Sequence, residues 1–409
     1  MFDVIVAVPA GLDVHRDTVV ACLIYGNGEK DFMRRTFSTL PSGLAQLRSW
    51  LRTHGCTGAA MESTGPFWRP VYDALEGVVE LTVCNAQHVK NVPGRKTDYN
   101  DAHWLAKLLR CGLLSNSYVP PRPLRELREV TRYLQTLTRS ETAFMNRTHK
   151  TMQIGGIKLS SVASEAFGVS GRLMIHAVIK GDKTPAEIAD LAKAKLRRKK
   201  DQLEDVFQQP VSEHRRRLLA LQMRDMDRLE ASRAEAELLL EEKLAPYGEF
   251  LDRVAAMPGC SRFSAAVLLA EIGPDMAPWE NTFKKLAAWA GVAPGNKQSA
   301  NKRLRARTRD GNPYAKTTLI MIALAASRDA DSRFQQLYNS CKGRLGKKRA
   351  LVKIAHAWLR CFFEMMVRNE PYRETRTSEL DQAKEQRKAK RLIKKLQRLG
   401  YGITAPAQA

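Results

Sequence analysis

The chain has 409 residues, with 67 Lys and Arg against 43 Asp and Glu for a formal net charge of +24, and 44% of its residues are hydrophobic. That apolar content fills real cores and excludes wholesale disorder, while the length allows two to four domains of roughly 100–200 residues each. The positive surplus calls for a polyanionic partner, most commonly nucleic acid, although a ribosomal-type or membrane-surface protein would share the balance.

The opening residues MFDVIVAVPA lack a basic leader, and the most apolar stretch, residues 317–327, is about half the roughly 20 residues that cross a bilayer. A cytoplasmic protein with no membrane partner is expected. Seven scattered cysteines without a C-x-x-C pair argue against a disulfide framework and a zinc knuckle, leaving reduced, mostly buried thiols.

In chain order, residues 2–10 form a strand-like apolar run leading into Gly11-Leu12-Asp13, and residues 18–25 (TVVACLIY) form a second, β-branched run. Gly26-Asn27-Gly28 supplies the turn into a third strand over 30–38. Leu44, Leu47, Trp50 and Leu51 then mark a helix over 41–53, followed by a strand over 58–62, a helix over 67–75 and a strand over 79–84. Residues 98–109 read as a helix with Thr97 as its N-cap.

Three meandering strands followed by alternating helices and strands is the order of an RNase H-like fold. It sets Asp13 and Glu62 at the C-terminal ends of strands, where α/β sheets open to ligands, and Asp98 and Asp101 three apart on one helix face. Each acid taken singly also reads as a cap, turn or surface residue, with Asp98 suited to the first turn of its helix. Taken together, four converging carboxylates need a hard divalent cation such as Mg²⁺ or Mn²⁺ to neutralise them. Two such ions about 4 Å apart suit in-line displacement at a phosphodiester.

Pro120-Pro121-Arg122-Pro123 ends this first region. Long apolar-striped helices are expected over 124–152 and 211–244, pairing either within the chain as an antiparallel hairpin or between chains as a dimerisation arm. Residues 155–210 between them read as less regular and partly mobile. Met257-Pro258-Gly259 before an Ala-rich helix resembles a helix-hairpin-helix turn able to offer backbone N–H groups to phosphate, with a plain helix-turn as the alternative. Trp104, Trp279, Trp289 and Trp358 lie in apolar helical contexts and read as core residues.

The densest charge spans 297–316, where Lys297, Lys302, Arg303, Arg305, Arg307, Arg309 and Lys316 face the single acid Asp310. Ser299 stands inside this field with no histidine beside it, which argues against a Ser-His-Asp hydrolase. The arginines can grip phosphate oxygens, and concentrated positive charge is one of the few aids that make serine a nucleophile; a solvated serine is the plain alternative. The tail from Asp381 to Arg398, with eight basic residues, suits nonspecific phosphate contact.

The motifs GLDVH around Asp13, AAMESTG around Glu62 and KTDYNDA around Asp98 and Asp101 resemble those of the DEDD transposases of insertion sequences, a family that includes Piv-type invertases and bridge-RNA-guided recombinases. Downstream, Met257 to Cys260, FSAAVLLAEIG, LAAWAGVAP, Gln298-Ser299-Ala300 and GNPYAK extend the resemblance over roughly residues 5–365. Gln298 departs from the glutamate of the family's common Glu-Ser-Gly or Glu-Ser-Ala.

The resemblance implies a RuvC-like catalytic domain over 1–120, a helical coiled-coil linker over 121–250, a mainly helical transposase domain over 251–372 and a basic tail over 373–409. It further implies that Asp13, Glu62, Asp98 and Asp101 bind Mg²⁺ and that Ser299 is the nucleophile. Donor and target DNA, a noncoding guide RNA and a homodimer assembling to a tetramer would be its partners, in a bacterial cytoplasmic enzyme associated with the nucleoid in use. Two other readings stay open: a RuvC-like nuclease or Holliday junction resolvase using only the acids and water, and a noncatalytic nucleic-acid scaffold.

Overall fold

The computed structural model describes residues 5–26, 31–85, 89, 101–295, 297–299, 302–304, 308, 310–330 and 332–374, with a few helical positions of the tail between 386 and 398. Two compact units divide it, residues 1–119 and 120–409.

The first unit is built on a five-stranded sheet of β1 (Pro9–Val14), β2 (Thr18–Ile24), β3 (Phe32–Ser38), β4 (Gly58–Glu62) and β5 (Glu80–Cys84). The spatial order is β3-β2-β1-β4-β5; the first three strands meander antiparallel, whereas β4 runs parallel to both β1 and β5. Helix α1 (Pro41–Thr53) follows β3, and α2 (Trp68–Leu75) is the crossover from β4 to β5. Proline at its first position and Leu44, Leu47 and Leu51 along one face explain why α1 starts and packs where it does.

Period-two alternation divides each strand between the two faces. Ala10 and Leu12, Val19, Ala21 and Leu23, and Ala59 and Met61 join Leu47 and Leu51 of α1 and Val71 and Leu75 of α2 in one core. On the opposite face lies α3 (Asp101–Arg110), where Leu105 and Leu108 pack with Cys84.

The first strand starts later than its apolar run suggests. Ile5 N–H donates to Arg110 O at the end of α3, and Val8 exchanges hydrogen bonds with Thr57, so pairing with β2 begins only in Pro9–Val14 and Asp13 falls inside the strand. Of the helix expected over 98–109, Thr97 and Asp98 lie outside the described residues.

In the second unit, α4 (Arg122–Ile154) and α9 (Glu213–Leu244) pair within the chain as an antiparallel hairpin. The contacts run in opposite directions: Lys243 to Glu126, Arg233 to Glu141, Met226 to Thr148, Gln222 to Thr151. Arg233, which breaks the apolar stripe of α9, thus bridges to the facing helix.

Residues 155–210 are a correction to the sequence expectation. They form short helices, α5 (Leu159–Val162), α6 (Val169–Lys180), α7 (Pro185–Ala189) and α8 (Lys200–Val206), closed around a core of their own against α4 and α9. Thr184 starts α7 with a full capping box.

The rest of this unit is helical: α10 (Gly248–Ala255), α11 (Arg262–Ile272), α12 (Phe283–Trp289), α13 (Pro313–Ala326), α14 (Arg333–Leu345) and α15 (Lys347–Arg368). Trp358, Phe334 and Phe362 are fully buried, and Trp279 and Trp289 meet with ring centroids 4.8 Å apart. The Met257-Pro258-Gly259 turn is an internal joint here. Pro258 O accepts from Trp358 Nε1, Cys260 N–H donates to Met257 O, and Gly259 at φ 75° leaves room only for the backbone of α13. Among the described residues no helix is long and apolar enough to cross a membrane.

Candidate active site

Two of the four acids, Asp13 and Glu62, lie on neighbouring strands of the first unit, and a third, Asp101, opens the helix packed on the same face of the sheet. Strands β1 and β4 are parallel neighbours with Leu12 beside Met61, so the next residues, Asp13 near the end of β1 and Glu62 at the end of β4, follow side by side. Because Leu12 and Met61 face the core of α1 and α2, alternation turns Asp13 and Glu62 to the other face, where α3 lies.

Gly11 brings that helix close. A Cβ there would stand 1.9 Å from Ala102 O and 2.6 Å from Ala106 N, so only glycine lets the helix backbone rest on the strand. The C-terminus of α3 bonds to Ile5 and its first turn lies over Gly11, so it runs antiparallel to β1 and delivers Asp101 toward the end that carries Asp13.

Around these acids, His15 Nε2 lies 3.1 Å from Asp13 Oδ2 and Thr64 Oγ1 donates to Glu62 Oε2 at 3.4 Å. Asp101 Oδ1 is shielded from solvent. Burial pushes the Cys84 thiol, across the ladder from Glu62, up to about 12, and the Glu62 charge adds to the effect. Carboxylate oxygens are the donors that suit Mg²⁺. Among the described residues no three His, Cys, Asp or Glu side chains stand close enough together to hold a metal ion. Asp98 lies outside the described residues.

Ser299 belongs to the second unit, in a small antiparallel hairpin of β6 (Lys297–Ser299) and β7 (Lys302–Leu304). Lys297 pairs with Leu304, Gln298 with Arg303 and Ser299 with Lys302, so Ser299 is the last paired residue before the turn. Arg305, Arg307 and Arg309 lie outside the described residues. Lys316, in the first turns of α13, donates through Nζ to Thr308 Oγ1 at 3.0 Å and so ties Thr308 to the helix.

The neck of this loop is closed by backbone. Asn312 N–H donates to Trp289 O at 2.8 Å, and a Cβ on Gly311 would sit 2.4 Å from Gly291 N. Asn312 also caps α13, its Oδ1 accepting from Tyr314 and Ala315 N–H, while its Nδ2 donates to Glu271 Oε2 at 2.6 Å. Glu271 is fully buried in α11 and is held by Arg132 of α4, whose Nε and Nη2 reach its two carboxylate oxygens at 2.7 and 2.9 Å, and by Arg128 at 3.2 Å. Arg132 in turn stacks on the Tyr314 ring at 4.3 Å.

Sequence reasoning missed this cluster. The signal was present, since a single carboxylate in the apolar run FSAAVLLAEIG must find a cation once that helix is buried.

Two transposase family models match the chain: one of the DEDD transposases of IS110, over residues 10–155, and one described as transposase IS116/IS110/IS902 family, over residues 251–339. The first spans the three described acids and the second spans Ser299. A mixed α/β unit carrying acids at its strand ends, joined to a helical unit with a basic loop, is therefore a transposase, an enzyme that cuts and joins DNA. The chain belongs to the IS110-family DEDD transposases. No curated protein matches it.

Proposed function

We propose that this transposase is a site-specific recombinase that cuts and rejoins donor and target DNA through a serine-linked intermediate. The observation that carries this reading is the parallel pairing of β1 with β4, which sets Asp13 beside Glu62 under the head of α3. The strand order β3-β2-β1-β4-β5 supports an RNase H-like, RuvC-like domain over 1–120. The other divisions are a helical coiled-coil linker over 121–250, a transposase domain over 251–372 and a basic tail over 373–409.

Asp13, Glu62, Asp98 and Asp101 would hold Mg²⁺, or Mn²⁺. When bound, the metal would lower the cost of charge building on the scissile phosphate and its leaving oxygen. Ser299 Oγ forms a bond to the scissile phosphorus as the bond to the leaving sugar oxygen breaks, and the serine proton passes to that oxygen. The phosphodiester's energy is kept in the protein–DNA ester, so a second sugar hydroxyl can reverse the step and join new ends without ATP.

Lys297, Lys302, Arg303, Arg305, Arg307, Arg309 and Lys316 supply charge to hold phosphate oxygens around that serine. A noncoding guide RNA would delegate sequence reading to base pairing and leave the protein to grip backbones. Acids from one subunit and serine from another make a composite site in a dimer or tetramer. The setting would be the bacterial cytoplasm, on nucleoid DNA.

The test is Ser299→Ala with labelled DNA carrying the element's ends. The wild-type chain should yield a denaturant-resistant protein–DNA adduct and the variant none. Strand cleavage by the variant at wild-type rate would instead favour a water-using nuclease or junction resolvase, and DNA binding without cleavage by either protein under Mg²⁺ or Mn²⁺ would favour a scaffold.

A further inference from the structure

Residues 156–250 fall between the two matched stretches. Part of that interval closes a small apolar core, in which Met174 and Ile175 of α6, Ile188 of α7 and Leu203 of α8 pack against Met152 of α4 and Met223 of α9. That core fixes what lies outside it.

Outside lies a run of cations. Residues 193–200, KAKLRRKK, contain six basic residues and no acid. All six are exposed, whereas Ala192 is buried and Leu196 packs inward. Ala194, at φ 50°, turns the chain into a 3₁₀ helix over Ala194–Lys199, a geometry that stacks Lys195 and Arg198 on one side.

The charge of this run is mostly uncompensated. Lys200 pairs with Asp190. Arg197 Nε donates to Ala192 O at 3.2 Å and Lys199 Nζ to Val162 O at 2.8 Å, contacts that orient a cation without cancelling it. Among the described residues no carboxylate stands within ion-pair distance of Lys193, Lys195 or Arg198. Lys193, Lys195 and Lys199 also border a cleft of about 650 Å³ with Ser164, Glu165 and Ser170, and Lys193 N–H is pinned to Ser170 Oγ at 2.9 Å.

We propose that this face of the module grips the phosphate backbone of duplex DNA, as a second contact surface separate from the Ser299 loop. Five cations without a carboxylate partner among the described residues, held on a packed scaffold, repel one another until a polyanion neutralises them. The run has no aromatic residue on which unpaired bases could stack and no Asn or Gln to read base edges. That favours a duplex over single-stranded RNA and positioning over sequence reading. The proposal requires only that the enzyme acts on DNA; it holds whether or not Ser299 is the nucleophile.

The full chain carrying Lys193→Ala, Lys195→Ala and Arg198→Ala is titrated with a short random-sequence duplex and with a single-stranded RNA across a salt series. Duplex affinity at low salt should fall by about tenfold or more, and the slope of log affinity against log salt should flatten by about 2–3, near 0.9 per lost phosphate contact. An equal loss of charge at exposed Lys150, Lys183 and Arg228 should leave both nearly unchanged. The charge-conserving set Lys193→Arg, Lys195→Arg and Arg198→Lys should bind as wild type, which separates charge from folding. Equal losses in the two alanine sets, or a loss confined to RNA, would overturn the proposal.

Discussion

Asn312 Nδ2 donates at 2.6 Å to Glu271 Oε2, tying the residue that closes the neck of the Ser299 loop to a wholly buried carboxylate. Glu271 in turn is clamped by Arg128 and Arg132 of α4, so one carboxylate joins three elements. Removing one partner of a buried ion pair leaves the other charges stranded, which costs about 3–5 kcal/mol. Glu271→Ala should therefore lower the denaturant midpoint of the second unit sharply. Asn312→Ala loses the helix cap as well, at about 0.5–2 kcal/mol, and should depress recombination more than stability because the loop neck is released. Chemical denaturation beside a recombination assay checks both.

Gly11 makes the opposite kind of contact, by having nothing to offer. Its missing Cβ would lie 1.9 Å from Ala102 O, a backbone atom that cannot rotate away. Gly11→Ala should push α3 off the sheet, cost about 1–3 kcal/mol and shift Asp101, the first residue of α3, relative to the strand that carries Asp13. Gly248→Ala is the comparison: nothing lies within 4 Å of a Cβ there, and it begins α10, so stability should hold or rise by about 0.4–1 kcal/mol. Equal destabilisation of both variants would refute the close-packing account.

Much of the first unit was legible because its signals are local. The residues of α1 and β4 carry their own period of 3.6 or 2, and their bounds coincide with the sequence expectation. The start of β1 was not legible, since Ile5 and Val8 are diverted by Arg110 and Thr57, partners far along the chain. The 155–210 segment escaped for a related reason. Helices as short as α5 and α7 show no apolar stripe, and only the assembled core with Met152 and Met223 makes sense of their hydrophobic residues. At the site, the adjacency of Asp13 and Glu62 follows from strand order, whereas Ser299 stood out only by its basic surroundings and took the role of nucleophile from the resemblance.

If Asp13, Glu62 and Asp101 act through charge and metal binding rather than packing, replacing them isosterically should spare the fold. Asp13→Asn and Asp101→Asn should abolish strand cleavage while shifting unfolding by no more than about 0.5 kcal/mol in either direction. A matched loss of stability would mean that the acids serve the sheet instead.

The buried thiols give the protein an alkaline limit. Burial pushes Cys22 and Cys56 up to about 11, and Cys84 and Cys260 up to about 12, from an ordinary 9.0. The folded chain thus keeps protons that the unfolded chain releases above pH 9. The stability this represents is fully present below pH 9 and drains away as pH climbs toward 11 and 12, by up to about 1.4 kcal/mol per pH unit for each group. Since the thiolate is the reactive form, Cys84 and Cys260 should resist alkylation at pH 8 in the native protein and react promptly once it is unfolded. Unfolding free energy measured between pH 8 and 11 should fall less steeply for Cys84→Ala than for the wild type; identical slopes would mean that Cys84 does not set the limit.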